Sequence, residues 1–339
     1  MRTLRSVSLT ALALLVLVGA PSSTYPWQPT RPVEFVIQTS PGGGSDVYAR
    51  FWIGIIEKHK LSPVPVVPVN MPGGAGAVAL NHLQSKKGDP HFISPTLNSV
   101  ITTPLLQKIP VMYLSEDLTP VVKMMMDPFL LVVSPEVFKT FEDFHAACKQ
   151  KRLTAVGTGS KQEDEIQIFM IQHALKCQPF RYVPAKGGGD VAAAVAGKHQ
   201  DFNVNQPSEM LPHYPARLHP ILSFQRERPA AFPKVPTHWE KKINSQWGEL
   251  LDLRTGLHQM RGIIGAPNMP QDAVKWYEDL FKKVWDTPEW QDFMKKGAMD
   301  PVFMRSDEYR AFMRKFEDNH VKVMRDVIGW QLRDDLRKR

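Results

Sequence analysis

The chain has 339 residues, with 42 lysines and arginines against 34 aspartates and glutamates, a formal net charge of +8 at pH 7, and 43% hydrophobic residues. This is the composition of a globular protein long enough for two domains, not of a disordered tail or a disulfide-dense scaffold. The positive surplus is diffuse, with no lysine or arginine block before Arg333 to Arg339, so it suits attraction of small anions and argues against nucleic acid as a partner.

Residues 1–24 read as a secretory signal peptide, because Arg2 and Arg5 precede the apolar run Leu9 to Val18 and Val18-Gly19-Ala20 supplies small residues for cleavage. Pro21 sits awkwardly beyond that site, and cleavage a few residues later is equally open. The run falls short of the roughly 20 apolar residues of a membrane span. The mature chain is therefore expected to be exported and soluble, unless the leader stays uncleaved as an anchor. Loss of Arg2 and Arg5 takes the charge from +8 to +6.

Val33, Phe35 and Ile37 form a short buried strand, ended by Pro41, Gly42, Gly43 and Gly44. Ser45 or Asp46 then caps a helix whose apolar side carries Val47, Phe51, Ile55 and Ile56. Glycines at such a junction let backbone approach a ligand, and the free N–H groups of a helix start favour an anion. The loop is either that cradle or simply a turn. Gly44 is followed by Ser45 and Asp46, so neither the Gly-Lys-Ser/Thr end of a P-loop nor a Gly-x-Gly-x-x-Gly fingerprint is present. A carboxylate fits beside Asp46 better than a doubly charged phosphate.

Prolines 63, 65 and 68 alternate with valines in an extended segment expected at a sheet edge. It leads into a second glycine loop, Asn70 to Gly76, and a helix over Ala77 to Gln84. Two strand, loop, helix units in succession predict a parallel sheet whose strand ends open on a shared crevice. A third strand is expected over His91 to Ser94, another over Leu130 to Val133 near the first crossing, and in the second half over Leu153 to Val156, Phe180 to Val183 and Asp201 to Asn205, with Pro220 to Phe224 near the return. Helices are expected over Asp164 to Leu175 and Asp190 to Ala196. Towards the C-terminus, Val274, Tyr277, Leu280, Phe281, Val284 and Trp285 recur at helical spacing, as do Tyr309, Phe312, Met313, Phe316, His320 and Val323. Such stripes are core faces more often than docking surfaces.

Trp27-Gln-Pro-Thr-Arg-Pro32, Pro41-Gly-Gly-Gly-Ser-Asp46 and Asn70-Met-Pro-Gly-Gly-Ala-Gly76 resemble, in that order, the periplasmic substrate-binding proteins of tripartite tricarboxylate transporters, the Bug or TctC-like family. The resemblance continues through Thr103 to Gln107, Leu118 to Val122, Gly157 to Ser160, Val183 to Gly188 and Pro233 to Thr237. It implies an α/β, two-lobed periplasmic binding protein fold of type II-like organisation, with the ligand cleft between the lobes. The first lobe is expected to take residues 25–127 and the second residues 128–226, with residues 227–339 returning to the first.

The ligand-binding residues expected in the first lobe are Ser40, Gly42, Gly43, Gly44 and Ser45. Asp46 is either a further contact or a structural group of the helix start. Thr96, Asn98 and Ser99 follow the third strand as polar ligand groups or as ordinary loop formers. In the second lobe Thr158, Gly159 and Ser160 match the family loop that takes a ligand carboxylate, next to a helix start. Ala185 stands where the family has a tyrosine, which makes room in the cleft. Lys186 is then a candidate cation or a solvated lysine, and Asn205 a further hydrogen-bonding group.

No Gly-x-Ser-x-Gly elbow, His-Glu-x-x-His motif or Cys-x-x-Cys pair is present, and the eleven histidines show no ligand or triad spacing. The expected role is that of a non-enzymatic solute-binding protein without metal or cofactor, a periplasmic monomer that delivers a small carboxylate to membrane transporter subunits. Alternatives are a ligand sensor for a membrane receptor and an exported α/β hydrolase. Cys148 and Cys177 match no metal spacing, and in an oxidising compartment they either pair or stay free.

Overall fold

The structure, a computed structural model, describes residues 27–41, 44–185, 188–243 and 258–336. The expected signal peptide, Gly42, Gly43 and Lys186 lie outside the described residues. Strand β1 (Val33–Ile37) leads into helix α1 (Gly44–Lys58), and β2 (Val66–Asn70) into a 3-10 turn over Gly74–Gly76 and α2 (Ala77–Gln84). Then come β3 (Phe92–Pro95), α3 (Ser99–Leu106), α4 (Leu114–Asp117), β4 (Thr119–Asp127) and β5 (Leu130–Val133). The middle of the chain runs α5 (Phe141–Gln150), β6 (Thr154–Thr158), α6 (Glu163–Leu175), β7 (Arg181–Ala185), α7 (Gly188–Ala196), β8 (Phe202–Asn205), α8 (Pro207–Met210) and β9 (His219–Ser223). It closes with β10 (Gln259–Gly265), α9 (Gln271–Trp285), α10 (Pro288–Lys296) and α11 (Ser306–Lys322).

These strands make two five-stranded sheets, ordered β2-β1-β3-β10-β4 and β7-β6-β8-β5-β9. The parallel pairing expected from the strand, loop, helix units holds for β1 with β2 and β3, and for β6 with β7 and β8. It does not extend across either sheet. β10 runs antiparallel to β3 and β4, and β5 antiparallel to β8 and β9. The chain passes from one sheet to the other between Asp127 and Leu130, and returns between Ser223 and Gln259. A strand that enters from the opposite sheet meets its neighbours head to tail, which gives each sheet its antiparallel part.

β1 is apolar on both faces, with Val33, Phe35, Val36 and Ile37 all buried, as expected of a parallel strand covered by helices on each side. β2 carries its proline on the edge of the sheet, where a missing backbone donor costs no ladder bond. The buried face of α1 differs from the sequence expectation. Tyr48, Ala49, Trp52, Ile53, Ile55 and Ile56 are buried, whereas Val47 is 45% exposed. The large rings set this orientation, since Trp52 stacks on Phe35 of β1 at 6.3 Å and aromatic burial outweighs that of one valine.

The C-terminal stripes are core. Val274, Tyr277, Leu280, Phe281 and Val284 of α9 and Tyr309, Met313 and Phe316 of α11 are buried, and both helices pack on β4. One continuous set of buried side chains runs from Phe92 and Met260 in the first sheet through Phe129 and Leu131 at the crossing to Phe202 in the second and Phe144 of the α5 helix. The sheets are thus joined through apolar contact at the crossing. In the second sheet's helical layer, Cys148 of α5 is disulfide-bonded to Cys177, just beyond α6, with Cα atoms 5.0 Å apart.

Candidate functional site

A cleft of about 560 Å³ opens between the two sheets. Helix starts reach it from both sides, because a parallel strand, tight loop and helix place the loop at the carboxyl end of the strand. Ser40, Gly44 and Ser45 reach it from the first sheet, and Thr158, Gly159 and Gly188 from the second. A larger opening of about 1010 Å³ lies between Gln225 to Ala231 and Pro288 to Pro301. None of the described residues of the glycine loops lines it, so the smaller cleft is the candidate site.

The first-sheet wall holds a fixed cation. Arg261 of β10 lines the cleft with its side chain only 6% exposed, and its Nη2 donates to Oδ2 of Asp127 at 3.1 Å. The guanidinium lies over the Tyr48 ring at 4.6 Å, and the Tyr48 hydroxyl donates to the same carboxylate oxygen at 2.9 Å. Burial raises the Asp127 carboxyl above the usual range, while Arg261 and the Tyr48 hydrogen bond pull it back. Arg261 is thus locked by an ion pair and a ring, and its Nε has no hydrogen-bond partner among the described residues. Gly44 makes room for it, since a Cβ there would stand 3.3 Å from Nη2. Nearby, Gln38 donates through Nε2 to the Pro95 carbonyl at 2.8 Å, which leaves its Oε1 a buried acceptor without a partner. The Ser45 hydroxyl is buried and unpartnered as well.

The second-sheet wall is acidic. The Thr158 amide donates to Oδ2 of Asp164 at 2.7 Å, the Gly159 amide to the Ala185 carbonyl at 2.9 Å, and the Lys161 amide to the Glu165 carboxylate. Gly159 sits at φ +66°, a left-handed conformation that suits glycine and turns the loop back on itself. Two amides of the loop expected to hold a ligand carboxylate, those of Thr158 and Gly159, are therefore satisfied by the chain itself, as is that of Lys161 just beyond it. Burial, with Glu163 close by, raises Asp164 to about 7 against the pull of the Thr158 hydrogen bonds. Glu209 of α8 lines the same wall, and its carboxylate lies where a side chain at Gly188 would begin, 2.0 Å from that Cβ position. Burial and the neighbouring Asp164 and Asp127 raise Glu209 to about 8, with Arg261 opposing.

Ser40, Gly44, Ser45, Ser99, Thr158 and Gly159 line the cleft; Ala185, where the family tyrosine is absent, lines it too. Five expected residues sit elsewhere. Asp46 does not cap α1, which already begins at Gly44; it is buried in the first turn, where it accepts from Arg50 Nε at 2.9 Å and Asn70 Nδ2 at 2.9 Å. The Asn98 side chain staples α3 to β10 by donating to the His258 carbonyl at 2.7 Å and accepting from the Met260 amide at 2.9 Å. Asn205 is buried at the end of β8, its Oδ1 accepting from the Gln206 amide at 2.9 Å. Ser160 is exposed beside Glu165. Thr96 is spent on the Tyr309 hydroxyl at 2.9 Å. Arg261 and Glu209 were not expected, for neither stands in a glycine loop or a motif.

A family model described as the tripartite tricarboxylate transporter family receptor matches residues 57–328. The chain belongs to that family. It is 26% identical over 293 residues to a UPF0065 protein of Cupriavidus necator, with 84% of each chain covered. Among solved structures it is similar to a TctC solute-binding protein from Polaromonas, at 21% identity and a TM-score of 0.69, covering 90% of this chain and 100% of that one. It is also similar to MatC from Rhodopseudomonas palustris with bound malate, at 18% identity and a TM-score of 0.70, covering 87% and 99%.

Proposed function

We propose that this protein is an extracytoplasmic solute-binding protein that captures a small organic acid in the cleft between its two sheets and hands it to the membrane subunits of a tripartite tricarboxylate-type transporter. The observation that carries the reading is the locked, buried Arg261 with an unpartnered Nε on one wall of a cleft reached by helix starts from both sheets. A guanidinium held out of water by an ion pair and a ring is preorganised for a carboxylate, because little side-chain entropy is lost when the acid docks. Ser45 and the start of α1 stand beside it to share the remaining oxygen. Family membership and the malate-bound neighbour support an acid as cargo and a transporter as partner. The leader-like first 24 residues support export to the periplasm. Contact with both walls would stabilise a closed arrangement of the lobes, residues 25–127 with the returning 227–339 against 128–226, in a protein acting as a monomer.

A thermal-shift screen of mono-, di- and tricarboxylates tests this reading. At least one acid is expected to raise the melting temperature with EDTA present and to be recovered unchanged. No shift with any acid, or turnover of the acid by pure protein, contradicts it.

A further inference from the structure

The two walls of the cleft differ in sign. Arg261 occupies the first-sheet wall at the start of α1, and the second-sheet wall presents the Glu209 and Asp164 carboxyls at the starts of α7 and α6. A ligand with a carboxylate at each end would place one of them against these acids, because the loop amides of Thr158, Gly159 and Lys161 are already taken within the chain. The acceptors left over point the same way. Gln38 Oε1 is buried without a partner among the described residues, and the half-buried Glu209 carboxylate lines the same cleft. An unpartnered buried acceptor is costly unless a ligand brings a donor to it.

We infer that the acid this cleft takes also carries an amine, its carboxylate held by Arg261 and Ser45 and its ammonium by Glu209 and Asp164, with Gln38 Oε1 a further acceptor. The inference rests on the carboxylate-binding reading of the same cleft and narrows it to aminocarboxylates. Specificity follows from the difference between a satisfied and an unsatisfied charge, since a deamino analogue leaves the carboxyls unpaired and an isosteric diacid meets them with like charge.

The groups facing Glu209 are Asp164 of α6, Asp127 of β4 and Arg261 of β10, and those facing Asp164 are Glu163, Glu209 and the Tyr182 hydroxyl, which Glu165 also faces. Burial, with the acidic neighbours adding to it, holds Asp164 at about 7 and Glu209 at about 8. An arriving ammonium favours their ionised forms. Binding at pH 7 therefore releases protons. A plain diacid would instead bind the protonated carboxyls and take protons up.

The test is calorimetry on the disulfide-intact protein with matched pairs: aspartate against succinate, glutamate against glutarate, and 4-aminobutyrate against butyrate. The expected result is that the amine-bearing member of at least one pair binds about tenfold or more tightly than its partner, with proton release seen as a dependence of the heat on buffer ionisation. Glu209→Gln is expected to reduce that preference by about tenfold, both by weakening the amine-bearing member and by relieving the like charge that a diacid meets. Deamino members binding as tightly as their amino partners in every pair that binds, amine-bearing members binding without proton release, or a wider screen whose only hits lack an amine overturns the inference and leaves the carboxylate reading standing. Binding by none of the six, together with no hit in the wider acid screen, overturns both.

Discussion

Lys123 is the residue whose energetics are most exposed to test. It lies in β4 fully buried, its Nζ without a hydrogen-bond partner and 3.7 Å from the Phe312 ring centre. Burial pushes it down from 10.5 to about 7, against a modest pull from Asp300. Asp300 is itself pushed up to about 6 by burial, although it accepts from Gln225. The unfolded chain binds a proton at position 123 more readily than the folded one between about pH 7 and 10.5, so stability from this group rises with pH across that window and its cost is fully present below pH 7. For Asp300 the folded state holds the proton more tightly, so stability falls as pH rises from about 4 to 6. Lys123→Met is expected to stabilise the protein by about 1–4 kcal/mol at pH 6 to 7, with the gain shrinking towards pH 10. Urea denaturation at pH 6.5 and pH 10 measures it, and an equal or larger gain at pH 10 contradicts the account.

At the same scale, the legibility of the site divides by position in the chain. Ser40, Gly44, Ser45, Thr158 and Gly159 are legible because a glycine loop between a strand and a helix is a local pattern, and they line the cleft. Arg261 and Glu209 are not, because one sits inside an apolar strand and the other in a four-residue helix. Only the pairing of β10 with β4 brings Arg261 to Asp127. Asn98 and Asn205 have the right chemistry for a ligand, but the fold spends Asn98 on β10 and buries Asn205 at a strand end. Residue type and loop position do not report which way a side chain turns.

At the scale of elements, periodicity carries the helices and strands well. α2 begins and ends where the glycine loop and the spacing of its alanines and leucines place it, at Ala77 and Gln84. The rotation of α1 departs from the expected one because Val47 counts as apolar, while the larger Tyr48 and Trp52 are the side chains that are buried. Strand direction is legible only where a crossover is local. Whether β5 and β10 run parallel depends on where the chain leaves one sheet for the other, and no short pattern encodes that. The disulfide belongs here too, since it ties the end of α5 to the turn after α6 across 29 positions of sequence. Closing a loop of that length is worth about 3–4 kcal/mol in the chain-entropy model. Thiol labelling of denatured, unreduced protein is expected to find no free cysteine, and reduction to lower stability by about that amount; two labelled thiols contradict the bond.

For the molecule as a whole, the two sheets and their shared cleft arise from repeated strand, loop, helix units, and a continuous apolar core at the crossing holds them together. The polarity of the cleft emerges only when both sheets are assembled, since Arg261 comes from one and Glu209 from the other. The central claim is that an acid is captured between them with Arg261 as its cation. Arg261→Lys keeps the charge beside Asp127 while losing the fork of N–H donors, so the fold is expected to survive. Loss of a hydrogen bond to a charged group is worth about 1.5–3 kcal/mol. Calorimetric titration of wild type and Arg261→Lys with the best acid from the screen is expected to show affinity lower by about 10- to 100-fold in the variant, at an unchanged stoichiometry. Equal affinity in the two proteins would place the acid outside this cleft and contradict the account.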